Sequence, residues 1–404
     1  MSKFIVEGLA GEKKLSGEIR VAGAKNAILK AQAATVLFDD DVPMENIPAI
    51  EDVACMRELL AALKDGSVLK KDIAIRLRAS VGLTGPVLAR YGSVTFPHPG
   101  GDVIGPRPIN LFLDGFKAMG ATVELAGDTY TVSGKLHGAD ITFNPISVMA
   151  TETLMMTAVL AEGTTTLRNA AREPEIADLA AYLNECGATI RGAGTATITI
   201  QGGGLLKANG IAYITPPDRI ETGTFVLLGA LAGQKIKVTH CKPEHIGALI
   251  ALLQQSGVEM EIGTDYIEVL GCNAPRALAV RTAEYPALAT DLQSPLMVYL
   301  TQACGTSTVE ETVFKNRLAY TADLVRMGAD ITLADPQHAT VVGPTPLRAT
   351  RLESPDIRAG LAFLMAAAVA EGTSTIDNIY HIDRGYEHIE QRLQKLGLNI
   401  KREK

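Results

Sequence analysis

Two kinds of helix alternate along the chain, and they differ in the spacing of their apolar positions. One kind is amphipathic, as in YEHIEQRLQKLG, where Ile389, Leu393 and Leu396 fall on one face at helical spacing. The other kind is apolar on nearly every side, as in TFVLLGALAG and GLAFLMAAAVA. A helix without a polar face is normally buried on all sides. The sequence therefore predicts apolar helices at the centre of each domain, with sheets around them.

A doubly wound parallel sheet is the alternative α/β architecture. That fold places continuous apolar strands between amphipathic helices. Here the strands alternate between apolar and polar positions, while the continuous apolar segments are helical. We therefore predict an inside-out α/β arrangement.

Two short phrases recur along the chain and predict a sixfold repeat. A helix ending in Gly and followed by an alternating strand occurs as MGATVEL, CGATIRG, SGVEMEI, MGADITL and LGLNIKR. The second phrase first occurs as EGTTTLRNA. The glycines of its four copies are Gly163, Gly233, Gly305 and Gly372, which lie 70, 72 and 67 residues apart. This period predicts six βαβ-type units of about 70 residues, the first of them shortened.

Composition narrows the class of protein. The chain has 404 residues, of which 47% are apolar, and this length favours two or three domains. Its net charge of -7 argues against a nucleic-acid partner or an anionic membrane surface. The apolar segments are shorter than the roughly 20 residues that cross a bilayer, and the start MSKFIVEG does not resemble a signal peptide. We expect a cytoplasmic protein without membrane insertion.

The five cysteines carry no disulfide or metal pattern. They are odd in number, far apart, and without CxxC spacing or a neighbouring pair of histidines. We expect them to be buried thiols.

A polar phrase precedes each apolar helix and supplies the candidate chemistry. Helix N-termini favour bound anions, and Lys25, Arg78, Arg219 and Arg358 add full positive charges in or beside these phrases. Asp, Ser and Thr at such positions also serve as ordinary N-caps, which is the structural alternative for any single phrase. Four cations among six equivalent positions favour a site for a ligand with several negative groups. The phrases are AGAKNA, RLRAS, PISVMATET, PPDRIETGT, ATDLQS and SPDIRAG.

These phrases, in this order, resemble those of the enolpyruvyl transferases, and most closely the branch that uses UDP-N-acetylglucosamine. The match extends from Lys25 to Glu387 and includes GPVLARYG, PGGDVIGPRPINL, NAAREPEI, RTAEYPALATDLQ, ETVFKNR and YHIDRGYE. The resemblance implies an inside-out α/β barrel fold with two domains of three repeats each. Residues 1–24 and 217–404 would form one domain and residues 25–216 the other, with the active site in the cleft between them.

The resemblance also implies a reaction. The enolpyruvyl group of phosphoenolpyruvate would be transferred to the 3′-hydroxyl of UDP-N-acetylglucosamine through a tetrahedral ketal, with release of phosphate. This is the first committed step of peptidoglycan synthesis, and no metal or organic cofactor is expected.

Site residues are carried over from the family position by position. Lys25, Asn26, Arg107, Arg358 and Arg384 match positions that bind phosphoenolpyruvate, and Lys25 and Arg384 are also candidate catalytic residues. Asp291 matches the residue that contacts the sugar hydroxyl and is the candidate base, with a plain helix cap as the alternative; for Lys25 the alternative is a surface lysine. The positions implied for the nucleotide sugar are Arg78, Arg107, Pro108, Ile109, Asn110, Leu111, Pro145, Ile146, Ser147, Val148, Asp291, Val313 and Arg317.

Asp102 stands where most members of this family carry a cysteine. It lies in PGGDVIGPRP, a stretch near residues 98–108 that we expect to form a lid, and it is the candidate proton donor. Closure over a dry site would raise the pKa of this carboxyl and Arg107 would lower it, so the sequence leaves the direction open. A turn aspartate is the alternative. Because fosfomycin alkylates the family's thiol, we expect a protein with Asp102 to tolerate it.

Several departures from the family pattern affect the nucleotide side. Pro145 stands where Lys is common, Asn110 where an acidic residue is common, and Met149 where Gly is common. The stretch before RLRAS is also short, which predicts a trimmed sheet in the first repeat.

Three other functions fit the sequence less well. A 5-enolpyruvylshikimate-3-phosphate synthase would carry an SKSxxNR-like opening where this chain has AGAKNAILK. A non-catalytic relative that binds a nucleotide sugar would share the motifs without turnover. A P-loop enzyme is disfavoured because GxxxxGK[ST] does not occur.

Overall fold

The computed structural model describes residues 2–63, 66–100, 108–272 and 274–404. These residues form two compact units. The terminal unit contains residues 2–22 and 217–404, and the central unit contains residues 23–100 and 108–216.

Within the described residues most of the strands are short, and they assemble into six sheets. In chain order they are β1 (Lys3–Glu7), β2 (Leu15–Arg20), β3 (Met44–Glu45), β4 (Ser93–Pro97), β5 (Thr122–Ala126), β6 (Thr129–Ser133), β7 (Asp140–Thr142), β8 (Thr164–Arg168), β9 (Thr189–Arg191), β10 (Thr197–Gln201), β11 (Tyr213–Ile214), β12 (Gly233–Thr239), β13 (Glu259–Ile262), β14 (Tyr266–Gly271), β15 (Ala279–Arg281), β16 (Gly305–Glu310), β17 (Asp330–Asp335), β18 (His338–Gly343), β19 (Arg351–Glu353), β20 (Thr373–Asp377) and β21 (Asn399–Glu403).

The helices follow the two classes that the sequence predicts. In chain order they are α1 (Lys25–Ala34), α2 (Glu51–Leu63), α3 (Lys71–Ala74), α4 (Thr84–Tyr91), α5 (Asn110–Ala118), α6 (Val148–Ala158), α7 (Pro174–Glu185), α8 (Arg219–Ala232), α9 (Gly247–Ser256), α10 (Gln293–Leu300), α11 (Thr321–Arg326), α12 (Ile357–Val369), α13 (Tyr380–Asp383) and α14 (Ile389–Lys395).

The terminal unit has three sheets of four strands, with the orders β19-β20-β1-β21, β13-β14-β12-β2 and β15-β16-β18-β17. In each sheet one pair is parallel, namely β19 with β20, β2 with β12, and β15 with β16. The other pairs are antiparallel. Helices α8, α10 and α12 pack on one another and each packs on a sheet. Every residue of α10 and α12 is buried.

The central unit repeats this plan with smaller sheets. Its sheets are β7-β8-β10-β9, β4-β6-β5 and the pair β3-β11. The apolar helices are α1, α4 and α6, and all of α1 except Asn26 is buried. In the described part of the chain the β3-β11 sheet has two strands where most of the other sheets have four, so the trimmed sheet of the first repeat is confirmed.

The inside-out α/β arrangement is therefore confirmed. The doubly wound alternative is wrong, because the four-stranded sheets mix parallel and antiparallel pairs and the fully apolar elements are helices. Among the described residues, no helix has the length and apolar composition needed to cross a bilayer.

The expectation for the cysteines needs one correction. Four of the thiols are buried, but Cys304 is exposed. It precedes the first residue of β16, outside the apolar helix α10.

Close packing between two apolar helices depends on Gly85 in α4. A Cβ at this position would lie 2.2 Å from Thr157 Oγ1 and 2.8 Å from the carbonyl oxygen of Thr153, both in α6. The backbone oxygen cannot move without shifting the helix. The spacing of α4 and α6 is therefore set by the missing side chain.

We expect Gly85→Ala to lower the free energy of unfolding by about 1–2 kcal/mol, because the overpacking cost of about 1–3 kcal/mol exceeds the gain in helix propensity. Urea unfolding followed by circular dichroism measures the change. Gly204→Ala is the matched control, since nothing lies within 4 Å of its added Cβ, and we expect a change below about 0.5 kcal/mol. Equal stabilities of the two variants would contradict this account of the helix contact.

Candidate active site

The six polar phrases divide between the two units. In the central unit they lead into α1, into the 3₁₀ turn Arg78–Leu83 before α4, and into α6. In the terminal unit they lead into α8, into the 3₁₀ turn Thr290–Leu292 before α10, and into α12. Each unit thus carries three of these phrases at helix starts, where unpaired backbone N–H groups and the helix dipole favour negative charge.

Lys25 is the first residue of α1, and its side chain is buried. Only 8% of the residue is exposed, and Nζ lies 2.6 Å from Asp52 Oδ2 in the first turn of α2. The alternative of a surface lysine is therefore wrong. Asn26, the next residue, is half-buried. Lys25 therefore places an ammonium group, paired with Asp52, at the start of an apolar helix.

A second buried ion pair joins two apolar helices of the central unit. Lys30 in α1 donates to the carboxylate of Glu152 in α6, and both side chains are almost fully buried. Burial raises the pKa of Glu152 to about 7, although the charge of Lys30 acts in the opposite direction. This pair fixes α1 against α6, and sequence reasoning missed it because both residues sit inside apolar runs.

The positions implied for the nucleotide sugar in the central unit differ in exposure. Arg78 is half-buried and its Nη1 donates to the carbonyl oxygen of Pro99 at 3.3 Å. Ser147 caps α6, since its Oγ accepts from the N–H of Ala150 at 3.2 Å. The elements that carry these residues are packed together, because α6 contacts both α5 and the 3₁₀ turn of Arg78. The exposed positions are Pro108, Asn110 and Pro145, the half-buried ones are Leu111, Ile146 and Val148, and Ile109 is buried.

Asp291 lies between two arginines of the terminal unit. Its Oδ1 is 2.8 Å from Arg317 Nη2 and 3.5 Å from Arg358 Nε. Both arginines are buried, with 6% and 9% of each residue exposed, while 29% of the Asp291 side chain is exposed. The carboxylate is therefore held by buried cations and can still be reached from outside.

Asp291 does not cap a helix. The 3₁₀ turn that contains it and the helix α10 that follows both begin without a side-chain cap. By contrast, Asp218 and Asp356 do accept backbone N–H groups at the starts of α8 and α12. The helix-cap alternative is thus wrong for Asp291.

The charges around Asp291 decide its ionisation. Burial by itself would raise the pKa of this carboxyl, but Arg358, Arg317 and Arg219 outweigh burial and hold the pKa well below its usual range. The Asp291 carboxylate is therefore ionised at neutral pH.

Two further predicted residues lie in the same unit. Arg384 follows α13 and is buried, with 5% of the residue exposed. Val313 is 37% exposed, and its N–H donates to Glu311 Oε1 at 2.9 Å. Buried cations and one exposed apolar side chain are suitable for an anionic organic ligand.

Two predicted residues belong to the stretch 101–107. Asp102 and Arg107 lie outside the described residues, so their roles stay predictions.

Sequence reasoning also overlooked two partners of the predicted residues. Asp52 looks like an ordinary acidic residue in the first turn of a helix, yet it pairs with Lys25. Tyr386 lies inside the phrase YHIDRGYE, and its hydroxyl accepts from Arg358 Nη1 at 2.9 Å. The only signal for Tyr386 was its place in that phrase.

Comparison with known proteins identifies the family. A family model described as EPSP synthase (3-phosphoshikimate 1-carboxyvinyltransferase) matches residues 9–393. A UDP-N-acetylglucosamine 1-carboxyvinyltransferase from Acidobacterium capsulatum is 43% identical, over 100% of this chain and 96% of the relative. A protein of the same name from Acinetobacter baylyi is 41% identical, over 100% of both chains.

Solved structures share the fold at lower identity. The enolpyruvyl transferase NikO from Streptomyces tendae superposes with a TM-score of 0.86 at 24% identity, covering 99% of this chain and 98% of that one. EPSP synthase from Acinetobacter baumannii superposes with a TM-score of 0.74 at 18% identity, covering 100% of both chains. From the family model, the full-length relatives and the shared fold, we conclude that this chain belongs to the enolpyruvyl transferase family and is a transferase.

Proposed function

We propose that this protein transfers the enolpyruvyl group of phosphoenolpyruvate to the 3′-hydroxyl of UDP-N-acetylglucosamine and releases phosphate. The observation that carries the proposal is Asp291, a reachable carboxylate kept ionised by Arg317 and Arg358. Relatives between 39% and 43% identical over the full chain bear the name of this activity. We assign the reaction to the first committed step of peptidoglycan synthesis, in the cytoplasm.

The reaction has two steps, and each requires a proton transfer. In the addition, the sugar hydroxyl loses its proton, its oxygen bonds to the central carbon of phosphoenolpyruvate, and the methylene carbon gains a proton to become a methyl group. In the elimination, the methyl group loses a proton, the bond from carbon to the phosphate oxygen breaks, and phosphate leaves. The net result is a new enol ether and one inorganic phosphate.

Asp291 acts on the hydroxyl in this proposal. A carboxylate with a low pKa is a weak base, but it is ionised at every working pH. It accepts a hydrogen bond from the sugar hydroxyl, orients the oxygen, and takes the proton as the new bond forms. Before that transfer, Arg317 and Arg358 offset the negative charge of the Asp291 carboxylate, which would otherwise repel an anionic co-substrate.

Cations bind the anionic groups of phosphoenolpyruvate. We assign this role to Lys25 and Asn26 in the central unit and to Arg358 and Arg384 in the terminal unit, with Arg107 as a further candidate. A guanidinium donates two parallel hydrogen bonds to a carboxylate or phosphate, and buried cations stabilise the negative charge of a leaving phosphate.

Asp102 is the proposed proton donor to the methylene carbon. The residues proposed for the nucleotide sugar are Arg78, Arg107, Pro108, Ile109, Asn110, Leu111, Pro145, Ile146, Ser147, Val148, Val313 and Arg317.

Phosphate release tests the proposal directly. Purified protein is incubated with phosphoenolpyruvate and either UDP-N-acetylglucosamine or shikimate 3-phosphate, and the organic product is identified by mass spectrometry. We expect release only with the nucleotide sugar. Phosphate release only with shikimate 3-phosphate would assign the protein to the other branch of the family. The absence of phosphate release with either acceptor would favour a non-catalytic binding protein.

We expect Asp291→Asn to lower kcat by about 10²- to 10⁴-fold, since a carboxamide cannot take the hydroxyl proton. Because the pKa of Asp291 lies below its usual range, the carboxylate is ionised at pH 5.5 and at pH 8.5, so the loss should be the same at both. Steady-state kinetics at the two pH values measures it. Asp330→Asn, at an exposed position of β17, serves as the control and should keep wild-type activity. A loss that disappears at pH 5.5 would rule out an ionised Asp291 there.

We expect the wild-type protein to keep its activity in the presence of stoichiometric fosfomycin, because a carboxylate at position 102 opens the epoxide poorly. Asp102→Cys should become sensitive, since a thiolate is a far better nucleophile. Asp102→Ser is the matched control and should stay tolerant. Residual turnover of the wild type and of Asp102→Cys, and the intact mass of all three proteins after incubation, measure the effect. A covalent adduct on the wild-type protein would contradict the expectation.

A further inference from the structure

The orientation of Arg358 depends on two polar contacts of its guanidinium. Nε lies 3.5 Å from Asp291 Oδ1, and Nη1 donates to the hydroxyl oxygen of Tyr386 at 2.9 Å. A guanidinium is planar, so contacts on two of its edges fix its plane and leave the remaining N–H groups in a defined direction. Asp291 also accepts from Arg317 at the shorter distance of 2.8 Å. The Tyr386 contact is therefore the stronger constraint on Arg358.

The position of Tyr386 is itself rigid. The residue is only 2% exposed, and its N–H donates to the carbonyl oxygen of Ile382 at 3.0 Å. The turn after α13 lies directly on the first turns of α12, because a Cβ on Gly385 would lie 2.7 Å from Ile357 Cγ2. A Cβ on Gly360 would lie 2.9 Å from Ile382 Cγ1 in the same contact. These two glycines allow the approach that places the phenol beside Arg358.

The hydrogen bonds of Tyr386 run in one direction. Thr224 Oγ1 donates its proton to the carbonyl oxygen of Ile220 at 2.8 Å. Thr224 Oγ1 has no second proton to give, so it can only accept from the hydroxyl of Tyr386, which lies 3.5 Å away. Burial raises the pKa of Tyr386, although Arg358 acts against it, so the phenol keeps its proton. The oxygen lone pairs are left to accept from Arg358.

We propose that Tyr386 is a positioning residue that fixes the guanidinium of Arg358 for the carboxylate or phosphate of the enolpyruvyl donor. The inference rests on the proposed function, because Arg358 acts there on phosphoenolpyruvate. It adds a residue that touches neither substrate and acts through Arg358. The same segment supplies Arg384 two residues earlier, so α13 and its turn would contribute one anion-binding arginine and orient another.

The variant Tyr386→Phe keeps the buried ring and removes only the hydroxyl. We expect the KM for phosphoenolpyruvate to rise about tenfold, as for the loss of one hydrogen bond to a charged group, while the KM for UDP-N-acetylglucosamine changes less than about twofold. A residue that only fills the core would lower the melting temperature and leave both KM values unchanged.

Tyr299→Phe is the matched control. Tyr299 is fully buried in α10, and its hydroxyl donates to Ser256 Oγ at 2.8 Å, so this variant loses a buried hydroxyl whose hydrogen-bond partner is not a guanidinium. We expect both KM values of this variant to equal those of the wild type. A rise in the KM for phosphoenolpyruvate in Tyr299→Phe as large as in Tyr386→Phe would overturn the proposal.

A second measurement does not depend on turnover. In protein labelled with ¹⁵N-arginine, the Nε–H signal of Arg358 is assigned by its loss in Arg358→Lys. We expect the signal to shift and to exchange faster with water in Tyr386→Phe, and to stay unchanged in Tyr299→Phe. An unchanged signal in Tyr386→Phe would overturn the positioning role. If the wild-type protein shows no turnover, the proposed reaction fails, and this comparison alone still decides whether Tyr386 orients Arg358.

Discussion

The fold of each unit depends on enclosing helices that have no polar face. A helix such as α12, buried along its whole length, must be covered on every side, and a single sheet covers one side only. Helices α8, α10 and α12 solve this by packing on one another and each on a sheet. The sheets then need one apolar face, which agrees with the alternating burial along strands such as β20. The same constraint explains why an added methyl at Gly85 has no room.

This arrangement also decides where charge collects in the terminal unit. Asp291 precedes α10, whereas Arg219 and Arg358 belong to the starts of α8 and α12, and both act on the pKa of Asp291. Three helix starts therefore lie near enough to share one electrostatic environment. A chain with a net charge of -7 can in this way hold buried cations at one place without a basic surface. Such cations keep a carboxylate ionised and bind an anionic substrate, as the proposed transfer requires.

Arginine is well suited to this double task. Arg358 is almost fully buried, and its guanidinium contacts both a carboxylate and a phenol. A lysine ammonium has no plane that such contacts could fix. A cost accompanies this design, because each buried polar group must find a partner. The bond between Tyr386 and Arg358 gives a partner to the phenol oxygen and to one N–H of the guanidinium.

Much of the fold was predictable, since it follows from local patterns. The two helix classes, the sixfold period and the trimmed first sheet are visible as spacing and length within short windows. The exposed Cys304 was not predicted, because exposure depends on what packs over a position. The phrases before the apolar helices located most of the candidate site, including Lys25, Asp291 and Arg358. Family resemblance, rather than spacing, supplied the roles of these residues.

By itself, the sequence determined which helices are buried, how many repeats there are, and which polar phrases stand at helix starts. Only the tertiary structure decided that Asp218 and Asp356 cap helices while Asp291 pairs with arginines, although all three lie in similar phrases. It also decided that Lys25 is buried against Asp52, and that Tyr386 holds Arg358. The physical reason is the separation along the chain of the residues that interact. A helical period is set by residues that are neighbours in the sequence. An ion pair joins residues such as Asp291 and Arg358, which are 67 positions apart and meet only when the apolar helices are enclosed.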